Sequence, residues 1–322
     1  MQKILAYGEI MLRISLDSEI NSFIRSTNFG GCEANALVFL SQRGYDCEFL
    51  SSFPDNLIGK EINSFLKSLN VKCNINFDKE RFGVYYTSPT KNNKPTKISY
   101  DRKATSFSKY LISKVELHKI LKDKKYVIIS GITPALSQEC QKNILNLIDT
   151  AKLLNVKIIY DINYRPTLWS IQECRRFNKK ILNHVDFLFT NSKTLRDLFE
   201  IKVEFNEVDM FQESEQTLKK FFKTYEIPCV GMTIRKNNKL ATMINYQKTN
   251  FKSQIFEINQ IDRVGAGDSF LASVIHGILS GWDFNKIISF STSSFALAHT
   301  FKGDFNQFTD NEIINFTTNS IN

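Results

Sequence analysis

The chain is poor in proline and glycine, with 6 and 13 of its 322 residues, and it contains no uninterrupted apolar run of about 18 residues. Its start, M-Q-K-I-L-A-Y-G-E-I, turns polar too early for the apolar core of a signal peptide. These absences exclude a membrane-spanning helix and predict a soluble, cytoplasmic protein. Six cysteines, at 32, 47, 73, 140, 174 and 229, form no C-x-x-C pair. Four histidines, at 118, 184, 276 and 299, have no ligand spacing either, so reduced core thiols are expected rather than a zinc site. Internal repeats, low-complexity tracts and interdomain linkers are missing, as is any G-x-x-x-x-G-K-[ST] phosphate loop. The net charge of +9, with a pI near 9.1, brings no block or stripe of basic residues. A nucleic-acid partner, which needs a concentrated electrostatic footprint, is therefore not expected. Abundant Lys, Asn, Ile and Phe read as a genome-wide residue bias.

With 42% hydrophobic residues over 322 positions, the chain can fill a substantial core. Short apolar strands alternate with helical patterns, which predicts an α/β fold with a mostly parallel sheet covered by helices on both faces. The strands are expected at Ile4 to Tyr7, Cys47 to Ser51, Tyr126 to Ser130, Lys157 to Asp161, Phe187 to Thr190 and Cys229 to Thr233. Helices are expected at Ala34 to Gln42, Ile58 to Leu69, Gln138 to Leu154 and Gln216 to Tyr225. Two stretches break this rhythm, 12–29 and 82–103, the second carrying the turn-rich S-P-T-K-N-N-K-P. They read as strand pairs outside the main sheet, a discontinuous β lid on one domain spanning 1–322.

The most informative stretch is D-R-V-G-A-G-D-S-F at 262–270, followed by apolar Leu271, Val274, Ile275, Ile278 and Leu279 at helical spacing. A helix start offers unpaired amides and the positive end of the dipole, and Gly265, Ala266 and Gly267 leave room for an anion to approach them. Asp268 then stands beside a transferred phosphoryl group, where a carboxylate accepts the proton of an attacking hydroxyl. The same helix end is expected to keep its pKa low, which phosphoryl transfer tolerates. The plainer reading, Asp268 as an N-cap after a tight glycine turn, stays open at this point.

Three stretches in order, G-G-C-E-A-N-A-L at 30–37, Y-D-I-N-Y-R-P-T-L-W at 160–169 and the 262–270 motif, resemble the ribokinase-like (PfkB) sugar kinases. Within them the likeness is to the 2-keto-3-deoxygluconate kinases, through G-E-I-M-L-R-I-S at 8–15, Y-D-R at 100–102 and H-T-F-K-G-D-F-N at 299–306. The resemblance implies an ATP- and Mg2+-dependent kinase with a Rossmann-like sheet and a β lid, acting on a small sugar acid; a monovalent cation is left open. It implies Asp268 as the base and Gly265 to Gly267 as the anion hole. The substrate contacts it implies are Gly30, Gly31, Asn35, Tyr85, Tyr100, Arg102, Arg165 and Asp304. Asn163, Asn191, Thr233 and Arg235 would lie on the nucleotide side. The chain departs from the family's common pattern in three places. Thr194 in N-S-K-T replaces an acid, which leaves the metal ligands unassigned; T-I-R-K-N-N-K lacks a T-x-G-x-x-G; and Arg263 stands where many members have Thr.

Two arginines in one cleft favour an anionic sugar, because a planar guanidinium fork matches a carboxylate. Surface ion pairing of Arg102 and Arg165 is the alternative, and for Tyr85 and Tyr100 it is packing within a strand. The expected activity is phosphorylation of the 6-hydroxyl of 2-keto-3-deoxygluconate. Its rivals are the same fold acting on fructose or ribose, and a noncatalytic sugar-acid or nucleotide sensor. Exposed lid edges suggest a homodimer.

Overall fold

The computed structural model describes residues 2–16, 24–88, 97–205 and 209–319. In chain order the strands are β1 Lys3–Tyr7, β2 Met11–Leu16, β3 Ile24–Gly30, β4 Asp46–Pro54, β5 Val71–Asp78, β6 Val84–Thr87 and β7 Ile98–Asp101. There follow β8 Tyr126–Ser130, β9 Lys157–Asp161, β10 Phe187–Thr190, β11 Cys229–Lys236, β12 Lys239–Tyr246, β13 Thr249–Lys252 and β14 Phe256–Glu257. The main sheet runs β13-β12-β11-β10-β9-β8-β1-β4-β5, with β14 also on β12. It is parallel from β5 to β11 and antiparallel beyond.

Alternation along each strand feeds two cores, as a sheet covered on both faces requires. Ile4 and Ala6 of β1 and Phe49 of β4 enter one core, roofed by the helices Cys32–Ser41, Ala266–Leu279 and Phe284–Ala298. Leu5, Tyr7 and Leu50 point the other way, under Lys114–Leu121, Gln138–Leu153 and Ile171–Ile181. Phe270 anchors the helix that carries the glycine motif. It is 1% exposed and sits edge-on to Phe189 and Phe295 at ring separations of 5.8 and 6.2 Å. Truncating such a ring costs about 3–5 kcal/mol.

Each of the six strands expected from sequence is present, three of them with the same bounds: β8, β9 and β10. The expectation missed β5 and the antiparallel edge. β5 alternates lysine and asparagine with apolar residues at the sheet margin and is only partly buried. T-I-R-K-N-N-K, which lacks the T-x-G-x-x-G, runs from β11 into the start of β12. It is a hairpin joining β11 to β12, with Asn237 at φ 55° making the turn that left-handed Asn tolerates.

The second sheet has the order β3-β2-β6-β7 and is tied together by parallel pairing of β2 with β6. Its strands fall within the 12–29 and 82–103 stretches, apart from Met11 and Gly30 at the outer ends; the parts of those stretches at 17–23 and 89–96 lie outside the described residues. Among the described residues no helix is long and apolar enough to cross a membrane.

Candidate active site

A cleft of about 520 Å³ opens where the carboxyl ends of β1, β8, β9, β10 and β11 meet the inner face of the small sheet. Open α/β sheets bind ligands at this end because loops and helix N-termini converge there. The helix Ala266–Leu279 starts at the cleft wall, with Gly265 as its N-cap at φ 80°. That left-handed conformation suits only glycine, and the Asp304 carbonyl occupies the space a Cβ would need. Among the described residues, the amides of Gly265, Gly267 and Asp268 donate to no protein group, and a side chain at Gly267 would meet nothing within 4 Å. Free donors, an empty approach and the helix dipole together form a seat for an anion.

Asp268 occupies the third position of this helix, not its cap. Its carboxylate faces the cleft and accepts a hydrogen bond from Asn35 Nδ2 at 2.7 Å, while Asn35 Oδ1 accepts from the Gly31 amide at 3.3 Å. The glycine pair and the acid are thus joined by one asparagine, itself 5% exposed. The expected low pKa is overturned. Burial, followed by the charges of Asp161, Glu33 and Asp304, raises the Asp268 carboxyl to about 8, against the lowering effect of Asn35. Desolvation among several acids outweighs a helix end, although water in the cleft around this partly exposed group moderates the rise. A carboxylate with its pKa raised this far holds a proton more strongly than the low value expected from the helix end would allow.

Every sequence-expected site residue lines this cleft except Ala266, whose side chain is fully buried and whose amide lies 3.4 Å from the Arg263 carbonyl. Gly30 packs so closely on the Asp304 carboxylate and the Tyr85 hydroxyl that any side chain there would collide with them. Tyr85 donates to Asp304 Oδ2 and lies 5.9 Å, ring to ring, from Tyr100. Gly31 is pressed against the Glu9 carbonyl. On the opposite side are Asn163, at φ 40°, Asn191, Thr233 and Arg235. Asn191 also caps the helix Ser192–Phe199 by accepting from the Thr194 amide at 2.9 Å. Thr233 Oγ1 and His299 Nε2 each accept from Arg235 at 3.4 Å.

Arg102, expected to present its fork to a ligand, lines the cleft with part of that fork already occupied. Arg102 is 8% exposed, and its Nε and Nη2 both donate to Glu9 Oε2, at 2.9 and 2.5 Å, while Thr105 donates to Glu9 Oε1. A buried guanidinium needs a partner more than it needs solvent, and Glu9 takes two of its donors. Arg165 is different: exposed, cleft-lining and, among the described residues, without a hydrogen bond or salt bridge to a carboxylate. Arg235 and Arg263 share that wall. Enclosure in the cleft and the charges of Arg263 and Arg165 push the exposed Arg235 down to about 10, an effect that cleft water screens.

Sequence reasoning missed Glu9, Arg13, Asp161 and Glu33. Asp161 ends β9, lines the cleft, accepts from the Asn163 amide at 3.0 Å and is raised to about 6 by burial. Its signal was present in Y-D-I-N, where an acid closes an apolar strand. Glu33, 2% exposed, accepts from Thr133 and from Cys32. Cys32 lines the cleft and so departs from the expected core position, whereas Cys47, Cys140, Cys174 and Cys229 are buried.

Comparison with known proteins bears on the fold that holds this cleft. Residues 1–305 match the model of the pfkB family of carbohydrate kinases. A 2-dehydro-3-deoxygalactonokinase of Haloferax volcanii is 25% identical over 97% of this chain and 95% of its own length. The crystal structure of 2-dehydro-3-deoxygluconokinase from Thermotoga maritima superposes with a TM-score of 0.91 at 29% identity, covering 99% of this chain and 100% of that one. A pfkB family carbohydrate kinase from Listeria grayi gives a TM-score of 0.88 at 28% identity, covering 98% of this chain and 100% of its own.

Proposed function

The chain belongs to the pfkB family of carbohydrate kinases, and from that premise we propose that it transfers the γ-phosphoryl group of ATP to the 6-hydroxyl of 2-keto-3-deoxygluconate. The observation that carries this reading is the Asp268 carboxylate, held by Asn35 beside the free amides of Gly265, Gly267 and itself. Asp268 takes the hydroxyl proton as the sugar oxygen attacks, and the amides receive the charge that gathers on the phosphoryl oxygens. In a loose transition state such positioning and neutralisation supply most of the catalysis.

The residues present fit ATP. The empty space at Gly267 admits a phosphate, and Arg235 and Arg263, paired with no carboxylate among the described residues, stand on the wall where a polyphosphate would run. Mg2+ keeps much of its water shell and needs as little as one protein carboxylate beside phosphate oxygens, a place Asp161 can take. Bound there, the ion would neutralise phosphate charge. On the sugar side, Arg165 offers an open fork to the acid's carboxylate, while Asp304, Tyr85 and the backbone at Gly30 would hold hydroxyl groups. The small sheet would act as the lid that excludes water.

A coupled ADP-release assay tests this with 2-keto-3-deoxygluconate, its galacto epimer, gluconate, fructose and ribose. The keto-deoxy sugar acid should give the highest kcat/KM. A higher value on a neutral sugar would overturn the substrate, and ATP turnover with none of them would overturn the reading as a kinase of these sugars.

A further inference from the structure

One buried arginine stands behind the site without entering it. Arg13, on β2 of the small sheet, is 4% exposed and does not line the cleft. Its Nη1 donates to Asp304 Oδ1 at 2.8 Å and its Nη2 to Asp262 Oδ2. Both acids are themselves buried, at 4% and 3% exposure. Asp262 uses its other oxygen to accept from the amides of Arg263 and Val264, at 2.8 and 3.1 Å. The carboxylate that receives Arg13 therefore also shapes the turn immediately before Gly265. Asp304 uses its other oxygen for Tyr85, and its carbonyl packs against Gly265. Among the described residues, Arg13 Nε has no hydrogen-bond partner and these two acids hold the guanidinium.

We propose that Arg13 is a positioning residue that couples the small sheet to the anion seat, setting Asp304 for the sugar and the 262–265 turn for the phosphate with a single guanidinium. The inference rests on the kinase reading. Its geometric basis is a fork whose two prongs serve the two halves of the reaction, joining segments 249 and 291 residues apart in sequence. The two buried acids share one positive charge. Without Arg13 they repel each other across a buried gap, and the turn and Asp304 lose their common reference. Small displacements of this kind are costly, because a shift of about 1 Å in reacting groups lowers turnover by about 100-fold.

The test compares wild type with Arg13→Met and Arg13→Lys in two measurements. In steady-state kinetics with ATP and the best sugar of the panel, Arg13→Met should lower kcat by about 100-fold and raise the sugar KM by about 10-fold. Arg13→Lys, which keeps the charge without the fork, should recover part of kcat. In amide hydrogen exchange without any substrate, the segment 262–268 should exchange faster in Arg13→Met while the helix Gln138–Leu153 stays unchanged. If Arg13→Met is insoluble, Arg13→Lys carries both comparisons. An active wild type whose soluble Arg13 variants keep kcat and KM overturns the proposal, as does faster exchange spread evenly through both regions, which marks a merely structural arginine. A wild type inactive on every sugar sinks the kinase reading alone, because the exchange comparison still decides the coupling between Arg13 and the turn.

Discussion

Replacing Asp268 by Asn should produce a protein that is more stable and nearly inactive, and both effects have the same origin. The native carboxyl is raised from 3.8 to about 8, chiefly by burial and then by neighbouring acids. Between those pH values the native state holds a proton that the unfolded chain has released, so stability falls as pH rises through the window. Each unit is worth about 1.4 kcal/mol; discounted for cleft water, a cost of about 2–3 kcal/mol remains at pH 8. Asparagine keeps the shape and can still accept from Asn35, but it carries no charge to desolvate. At roughly 1.5 °C per kcal/mol for a chain of this size, Tm should rise by about 3–5 °C at pH 8 and hardly at all at pH 4. Turnover should fall by about 10²–10⁴, the contribution of a general base, and the wild-type fall of kcat/KM below about pH 8 should disappear in the residual activity of the variant. Scanning calorimetry at the two pH values and pH-rate profiles measure these effects. A variant that retains turnover, or whose Tm drops at pH 8, would refute the assignment of a strained base.

Other expectations separate the remaining roles. Asn35→Ala removes the one hydrogen bond that lowers the Asp268 pKa, so the acid limb of kcat/KM should move to higher pH; an unmoved limb would detach Asn35 from the base. Glu9→Met leaves the Arg102 charge buried and unpaired, which costs about 3–5 kcal/mol and so lowers Tm by several degrees. Adding Arg102→Met should recover much of that loss, and additive losses in calorimetry would contradict the pairing. Arg165→Ala removes an exposed side chain that pairs with no carboxylate among the described residues, so Tm should hold within about 1 °C while KM for the sugar acid rises about 10-fold or more. An unchanged KM would remove the carboxylate contact.

What the sequence revealed and what it hid divide along a physical line. Alternation and helical spacing are local properties, and the parallel strands β8, β9 and β10 were legible because each is a short apolar run closed by polar residues at the cleft. The start of the helix at Ala266–Leu279 was equally legible, since a glycine with positive φ followed by an apolar stripe admits few other conformations. The states of the charges were not legible, because they depend on partners far along the chain. Arg102 read as a free fork, yet Glu9 lies 93 residues away and claims two of its donors. Asp268 read as a weak base because its helix is visible in sequence, whereas Asp161, Glu33 and Asp304, which raise it, converge only once the sheet has formed. Arg13 gave no signal of its own in G-E-I-M-L-R-I-S, and only the fold encloses it between two acids. For this cleft, residue types placed at strand ends and helix starts identify which groups are present. Which of them stay charged, and which remain available to a ligand, is decided by desolvation and long-range pairing. The open arginine at 165 and the occupied one at 102 differ in just this respect, and their chemistry differs with it.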